Sequence, residues 1–335
     1  MNHANISIFV PHIGCPNMCS FCNQHSITGR TGVPSKEDID SAVLAAKTSK
    51  NYDAGSTEIA FFGGSFTGID RELMVELLSA ANSHIKSGSV SGIRISTRPD
   101  FVDKEVLEIL KTYGVTAIEL GAQSMCDEVL YKNRRGHNAN DVKIASKLIK
   151  EAGFELGLQM MTGLYGSNDE LDRETAKAII ALNPETIRIY PAITLKDTYL
   201  ESLYKSGEYL PPSLESAVSL CEELLEMFEK AGIKVIRVGL HTIEDGSYVA
   251  GPWHPAFKEL CDSKRMLEIA KQALSNLEKG EYVLRVCPKS ISKMTGNKRQ
   301  NLAHLETLGY ICKVKADEKL KEYQIIPERM NNSCF

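Results

Sequence analysis

This 335-residue sequence contains no stretch of about 18 uncharged apolar residues, and its first twenty residues lack a basic segment followed by a long apolar run. Membrane-spanning and secreted classes are set aside on that basis, and a soluble, cytoplasmic protein is expected. An even disulfide framework is missing as well: the nine cysteines are odd in number and unevenly spaced, and a reducing cytosol favours metal or catalytic thiols over disulfides. Internal repeats and low-complexity tracts are absent. The single tryptophan, Trp253 in "GPWHPAF", is either a core anchor or a seal at a barrel mouth. What is present is a hydrophobic fraction of 43%, enough for a sizeable core in one large α/β domain or two smaller ones.

A net charge of -4 argues against wholesale attraction to polyanions, yet the charge is unevenly spread. From Gly251 onward there are 15 Lys and Arg against 10 Asp and Glu, so the tail carries +5 and the body -9. The asymmetry suits either a polyanion-facing appendage or an ordinary solvated basic face.

Apolar, β-rich runs alternate with segments of helical period. Strands are expected over Ile6–Pro11, Glu58–Phe62, Gly92–Thr97, Ala117–Leu120, Phe154–Met161, Thr186–Tyr190 and Lys234–Leu240. Between them helices are expected over Lys36–Ala46, Arg71–Ile85, Lys104–Tyr113, Asp141–Ala152, Asp169–Leu182 and Leu214–Lys230. The alternation predicts a complete or partial barrel over residues 1–250, with a doubly wound open sheet as its competitor. Barrel chemistry sits where strands end, and the notable residues fall there: Gly63-Gly64-Ser65, Ser96-Thr97-Arg98-Pro99, Gln123, Gln159 and Tyr190-Pro191.

After the first strand comes "VPHIGCPNMCSFCNQHSITG", in which Cys15, Cys19 and Cys22 form C-x-x-x-C-x-x-C with no fourth cysteine nearby. A zinc site would need His12 or His25 to close its shell. Three thiolates on a four-iron cubane leave instead one iron without a protein ligand, open to a small molecule. Phe21 puts an aromatic edge beside the last two thiols, unless it is a plain core residue.

The spacing, with an aromatic before the last Cys, resembles the radical S-adenosylmethionine (radical SAM) superfamily. "FFGGSFTG" (Phe61–Gly68) looks like that superfamily's glycine-rich strand end. "STRPD" (Ser96–Asp100), "ELGAQSMCDEVLYKNRRGH" (Glu119–His137) and "RIYPAITLKDTYLESLYKSGEY" (Arg188–Tyr209) are similar to the radical SAM domain of the Elongator catalytic subunit, whose family modifies the wobble uridine of tRNA. The resemblance covers about residues 5–245. It implies a TIM-like partial (β/α) barrel holding a [4Fe-4S] cluster on Cys15, Cys19 and Cys22, with SAM on the fourth iron. Reductive cleavage of SAM would release a 5'-deoxyadenosyl radical that abstracts hydrogen from an inert C–H bond. By the same resemblance the Gly63-Gly64-Ser65 backbone receives the methionine amino group. Gln123 and Arg135 reach the ribose and carboxylate, positions shared with the oxygen-independent coproporphyrinogen dehydrogenases, and Gln159 falls where many relatives carry an acidic ribose ligand. The guanidinium of Arg135 forks naturally onto a carboxylate. Ser96 stands where relatives often have Glu.

Two features depart from the Elongator pattern. No acetyltransferase-like domain is expected before the chain ends at Phe335, so any acetyl group would come from a separate acyl donor or protein. Residues 251–335 are expected instead to form a small basic α/β appendage, "VLRVCPKSISKMTGNKRQNLAHLETLGYICKV". Its strand, helix, loop, helix and strand resemble a minimal KH RNA-binding module, or an ordinary α/β cap. The loop Gly296-Asn297-Lys298-Arg299 lacks the second glycine of the G-x-x-G pattern, and Lys289, Lys293, Lys298 and Arg299 are the candidate phosphate contacts. Cys126, Cys221, Cys261, Cys287, Cys312 and Cys334 contain no C-x-x-C pair and read as small apolar fillers. The expected activity is radical SAM chemistry on RNA, a tRNA base, with an electron donor such as flavodoxin or ferredoxin and no membrane partner. The alternatives are a small-molecule substrate such as a porphyrin precursor, or a non-catalytic RNA-binding iron–sulfur protein.

Overall fold

The computed structural model describes residues 4–10, 15, 18–23, 32–240 and 243–330. Pro11, the two candidate zinc ligands His12 and His25, and Cys334 lie outside them. Seven strands form one parallel sheet in the order β1 (Ala4–Val10), β2 (Thr57–Gly63), β3 (Gly92–Thr97), β4 (Val115–Gln123), β5 (Glu155–Thr162), β6 (Thr186–Pro191) and β8 (Lys234–Val238). Each next strand in the sheet is reached through a helical crossover. The helices are α1 (Lys36–Lys47), α2 (Arg71–Lys86), α3 (Lys104–Thr112), α5 (Ala139–Glu151), α6 (Asp169–Leu182) and α8 (Leu214–Lys230), and the sheet curls into a partial barrel of the TIM type. A monotonic strand order excludes the doubly wound alternative, which would reverse at a switch point.

Helix starts follow from short-range chemistry. Ser35 and Asp38 form a reciprocal capping box at α1, as do Asn138 and Asp141 at α5. The strands owe their places to alternation. One parity of side chains (Ile59 and Phe61, Ile93 and Ile95, Ile187 and Ile189) is buried in the main core shared with the helices. Each such side chain is worth about 1.5–3 kcal/mol of burial. The other parity faces the barrel interior and carries the buried charges Glu58, Arg94, Glu119 and Arg188 beside a few apolar side chains such as Phe9 and Phe62.

Two short helices were not legible in the periodicity, α4 (Asp127–Lys132) and α7 (Tyr199–Ser206), because six and eight residues give too few turns for a moment to show. The small antiparallel pair β7 (Thr194–Leu195) with β9 (Tyr248–Ala250) was equally invisible. Helix α9 (Phe257–Leu274) lies across two cores. Phe257 and Cys261 belong to the barrel core, while Met266, Leu267, Ala270 and Leu274 belong to a second core in the tail. There β10 (Gly280–Val286) pairs parallel with β11 (Tyr310–Ala316) and antiparallel with β12 (Ile325–Arg329), and α10 (Ile291–Thr295) and α11 (Gln300–Thr307) join the first two. Strand β12 carries Pro327, which disguises it in the sequence and is tolerated because β12 is an edge strand. Among the described residues no helix is long and apolar enough to cross a membrane.

Candidate active site

The loop after β1 is held by the two helices that periodicity missed. The N–H of Ser20 donates to the Asn133 carbonyl at 3.1 Å, its hydroxyl donates to Asn133 Oδ1 at 2.5 Å, and its own carbonyl accepts from the Leu200 N–H at 2.8 Å. Asn133 follows α4 and Leu200 lies in the first turn of α7. The buried Asn133 amide in turn donates to Val129 and Tyr165 carbonyls. A turn closed by the Cys22 N–H on the Cys19 carbonyl, 3.1 Å, brings the last two thiols to one side. Phe21 packs on two satellite apolar clusters, one with Val129 and Leu164, the other with Leu200 and Tyr209. Its ring also lies 6.0 Å from the Arg135 guanidinium.

Cys15, Cys19 and Cys22 share a cavity of about 380 Å³ with residues from the ends of β2 through β8. All eight side chains or backbone positions named in the sequence as cofactor contacts line it: Phe21, Gly63, Gly64, Ser65, Ser96, Gln123, Arg135 and Gln159. Burial pushes the Cys22 thiol up to about 12, and the neighbouring Cys19 and Cys15 add to that rise. Cys15 is raised for the same reason, opposed by a hydrogen bond from the Ser65 backbone and by the Arg98 and Arg135 guanidiniums. Thiols so placed need a metal to hold them as thiolates.

Four observations bear on whether these residues fit a [4Fe-4S] cluster and SAM. Cys15, Cys19 and Cys22 line the same cavity, so three thiols are available to one bound group. Gly63, at φ +115°, faces Phe9 and the Val10 carbonyl so closely that a Cβ would stand 2.3 Å from the ring and 2.4 Å from the oxygen. Only glycine fits there, and it leaves the Gly64 N–H to pair with the Val10 carbonyl at 2.8 Å. A Cβ on Gly121 would likewise meet Gln123 Nε2 at 2.9 Å. Finally, Ser96 Oγ, Gln123 Oε1, Arg98 Nη1 and Arg135 Nε are buried without hydrogen-bond partners, and each belongs to a residue lining this cavity. Buried polar atoms are rarely left unpaired, so this ring of orphans is suited to a polar ligand. The residues fit the pair of cofactors.

Sequence reasoning passed over the hydroxyl lattice beneath that ring. Ser65 and Thr67 both reach Thr97 Oγ1, at 2.8 and 2.6 Å, and Ser65 Oγ accepts from the Arg98 N–H at 3.3 Å, tying the end of β2 to the end of β3. It also passed over a buried layer of charge. Arg188 forks onto Glu119 at 2.6 and 3.0 Å, and Arg94 meets Glu58 at 3.2 Å and Glu155 at 3.0 Å. The signal was present, since the strands "GIRIST", "TIRIYP" and "KVIRV" each set an arginine among apolar neighbours. Arg135 donates to the Gly121 carbonyl at 2.7 Å and lies 3.1 Å from Cys19 Sγ.

Comparison with known proteins agrees with the geometry. The model of the Radical SAM superfamily matches residues 9–179, and that of the Radical_SAM C-terminal domain matches 184–287. The chain belongs to the radical SAM superfamily. Radical SAM proteins bind a [4Fe-4S] cluster and SAM, and this member is an enzyme of that family. It is 35% identical over 130 residues, 38% of its length, to the tRNA uridine(34) acetyltransferase of Methanocaldococcus jannaschii, of which that stretch is 24%. An uncharacterized protein of the same organism is 29% identical over 251 residues, 74% of each chain. The archaeal Methanocaldococcus infernus Elp3 with an N-terminal deletion shares the fold at a TM-score of 0.66 and 21% identity, over 81% of this chain and 64% of that one. The matched stretch thus spans about a quarter of the acetyltransferase.

Proposed function

We propose that the protein cleaves SAM reductively at a cluster on Cys15, Cys19 and Cys22 and directs the resulting chemistry at a tRNA base, a uridine. When bound, the cofactor pair supplies one-electron scission of a sulfonium C–S bond and with it the means to take hydrogen from an inert C–H bond. The residues of this chain do the rest. The Ser65–Thr97 lattice and Gly63 hold a narrow strand end for a ligand amine, Ser96, Gln123 and Gln159 offer side-chain hydrogen bonds along the cavity, and Arg135 has its unpaired Nε to donate to a carboxylate. Phe21 and its two apolar clusters keep water from one wall. A single observation carries the reading: the three cysteines line one cavity together with four residues that each hold an unpaired buried polar atom.

The RNA substrate is supported by the relative named as a tRNA uridine(34) acetyltransferase. It is also supported by the tail, where Lys298 and Arg299 are exposed in the loop between α10 and α11, both with left-handed backbone (φ 47° and 64°). Lys289 is exposed nearby. Lys293 is less free, bound to Glu322 at 3.2 Å and Asp262 at 3.4 Å. A reductant of the flavodoxin or ferredoxin kind and, for acyl chemistry, a separate acyl donor complete the proposal. Under dithionite the anaerobically reconstituted protein should convert SAM to 5'-deoxyadenosine, and tRNA from cells lacking the gene should miss a modified uridine. An intact cluster giving no 5'-deoxyadenosine with any reductant removes the catalytic claim. An unchanged nucleoside profile removes the tRNA.

A further inference from the structure

Five arginines stand around or beneath the cavity, and four are accounted for. Arg94 and Arg188 are held by carboxylates in the buried charge layer, Arg98 forks onto Asp100 at 2.9 and 2.8 Å, and Arg135 donates through Nη2 and Nη1 to Gly121 and Cys19, its Nε being already assigned to the cofactor. Arg237, on β8 at the sheet edge away from the cysteine loop, lines the cavity and has no carboxylate or hydrogen-bond partner among the described residues. Its register neighbour on β6 is Arg188, whose charge Glu119 already neutralises bidentately. An unpaired guanidinium in a half-enclosed cavity is a standing demand for an anion, and planar donors suit phosphate oxygens.

A second donor stands beside it. Tyr190, two residues past Arg188 on β6, lines the same cavity as Arg237, and its hydroxyl feels the charge of both guanidiniums. A protonated phenol has one proton to donate to an anion while its oxygen can still accept from a guanidinium. Burial raises Tyr190 above the ordinary phenol range, so it stays a donor at physiological pH.

We propose that Arg237, with the Tyr190 hydroxyl, forms a phosphate subsite on the β6–β8 wall that takes a phosphate oxygen of the substrate nucleotide. The idea rests on the RNA reading above and deepens it: the cysteine loop follows β1, the anion site sits on β6 and β8, and a nucleotide anchored by phosphate at the latter presents its base or sugar to the former. The phosphate could be a diester of an RNA strand or the monoester of a free nucleotide.

The test is calorimetric titration of uridine, 5'-UMP and the dinucleotide UpU into reconstituted protein, alongside binding of a tRNA transcript. The wild type should bind UMP or UpU at least about tenfold more tightly than uridine, as expected for a charge-assisted contact. Which of the two is preferred tells monoester from diester. Arg237→Gln should erase that preference, and Arg237→Lys, which keeps the charge but not the fork, should retain part of it. An Arg237→Gln protein with normal iron content and undiminished phosphate preference overturns the subsite and leaves the RNA reading standing. A wild type that binds tRNA but does not distinguish UMP or UpU from uridine does the same. A wild type that binds neither the transcript nor the nucleotides overturns the RNA reading, and the subsite with it.

Discussion

The two faces of the seven-stranded sheet are made by the same strands and obey different rules. On β4, Ile118 and Leu120 point into the helix-covered core, while Glu119 and Gly121 point into the barrel. The outer face is filled by apolar side chains with no polar obligations. The inner face carries buried carboxylates, guanidiniums and hydroxyls, an arrangement that costs desolvation at every group unless each is paired. Folding alone gives no reason for that expense, and four of the groups left unpaired, on Ser96, Arg98, Gln123 and Arg135, belong to residues of the cavity that the cysteines share. The outer face tells what the chain folds into, and the inner face tells what it is for.

Removing a thiol tests that division most severely. Cys19→Ala should abolish the cluster's charge-transfer absorbance and take reconstituted iron from about four per chain to near none, while the circular dichroism of the apoprotein stays that of the parent. Iron content equal to the parent's would mean that the three cysteines do not share one cluster.

Adjacent residues on one strand give the next contrast. Glu119→Gln leaves Arg188 in a buried layer without its anion, and breaking such a pair costs about 3–5 kcal/mol. Ile118→Val, one position away on the outer face, should cost about 0.5–1.5 kcal/mol. Urea unfolding of the two apoproteins measures both. A Glu119→Gln loss no larger than that of Ile118→Val would show that the inner layer is solvated rather than a buried ion pair.

How much of this the sequence disclosed follows the same split. The outer face announces itself by period, and so "DELDRETAKAIIAL" and "LESAVSLCEELLEMFEK" read as helices with the bounds they have. The cysteine spacing and the Gly-Gly pair were legible because few chemistries use them. Arg188 and Arg237 were not singled out, because a charge inside an apolar strand has no period of its own. Its partner sits on a strand about 70 residues away for Glu119 and Arg188. The short helices α4 and α7, which clamp Ser20, were hidden for a related reason: their worth lies in a tertiary contact, not in a pattern.

The tail offers a milder comparison, between basic residues that are held and those that are free. Replacing Lys298 and Arg299 by Glu should weaken tRNA binding and lower the slope of log affinity against log salt by about two, roughly one per lost phosphate contact. Lys293→Gln should act chiefly on stability, since it is tied to Asp262 and Glu322. Filter binding at several salt concentrations checks this, and an unaltered slope in the double variant would remove the loop from the RNA surface.

The smallest effect belongs to a buried carboxyl on the helix side that, among the described residues, makes no ion pair of the kind Arg188 makes with Glu119 and feels Arg173 only weakly through its charge. Asp172 of α6 accepts from the Gly163 N–H at 2.8 Å and from the Ser167 hydroxyl at 2.6 Å, which pins the loop after β5. Burial pushes its carboxyl up to about 6, and those two neutral donors only partly oppose the rise. In the unfolded chain an Asp titrates near about 3.9. The folded protein therefore holds this proton more tightly than the unfolded one, and the stability this gives is present at low pH and lost as pH rises through about 6. Asp172→Asn keeps a neutral acceptor and does not titrate. Between about pH 5 and about pH 7 the wild type should lose about 1 kcal/mol relative to that variant, measured as the difference in urea midpoints. A gap that does not move with pH would mean that Asp172 is ionised without penalty, and that uncharged donors can do on the outer face what only arginine does on the inner one.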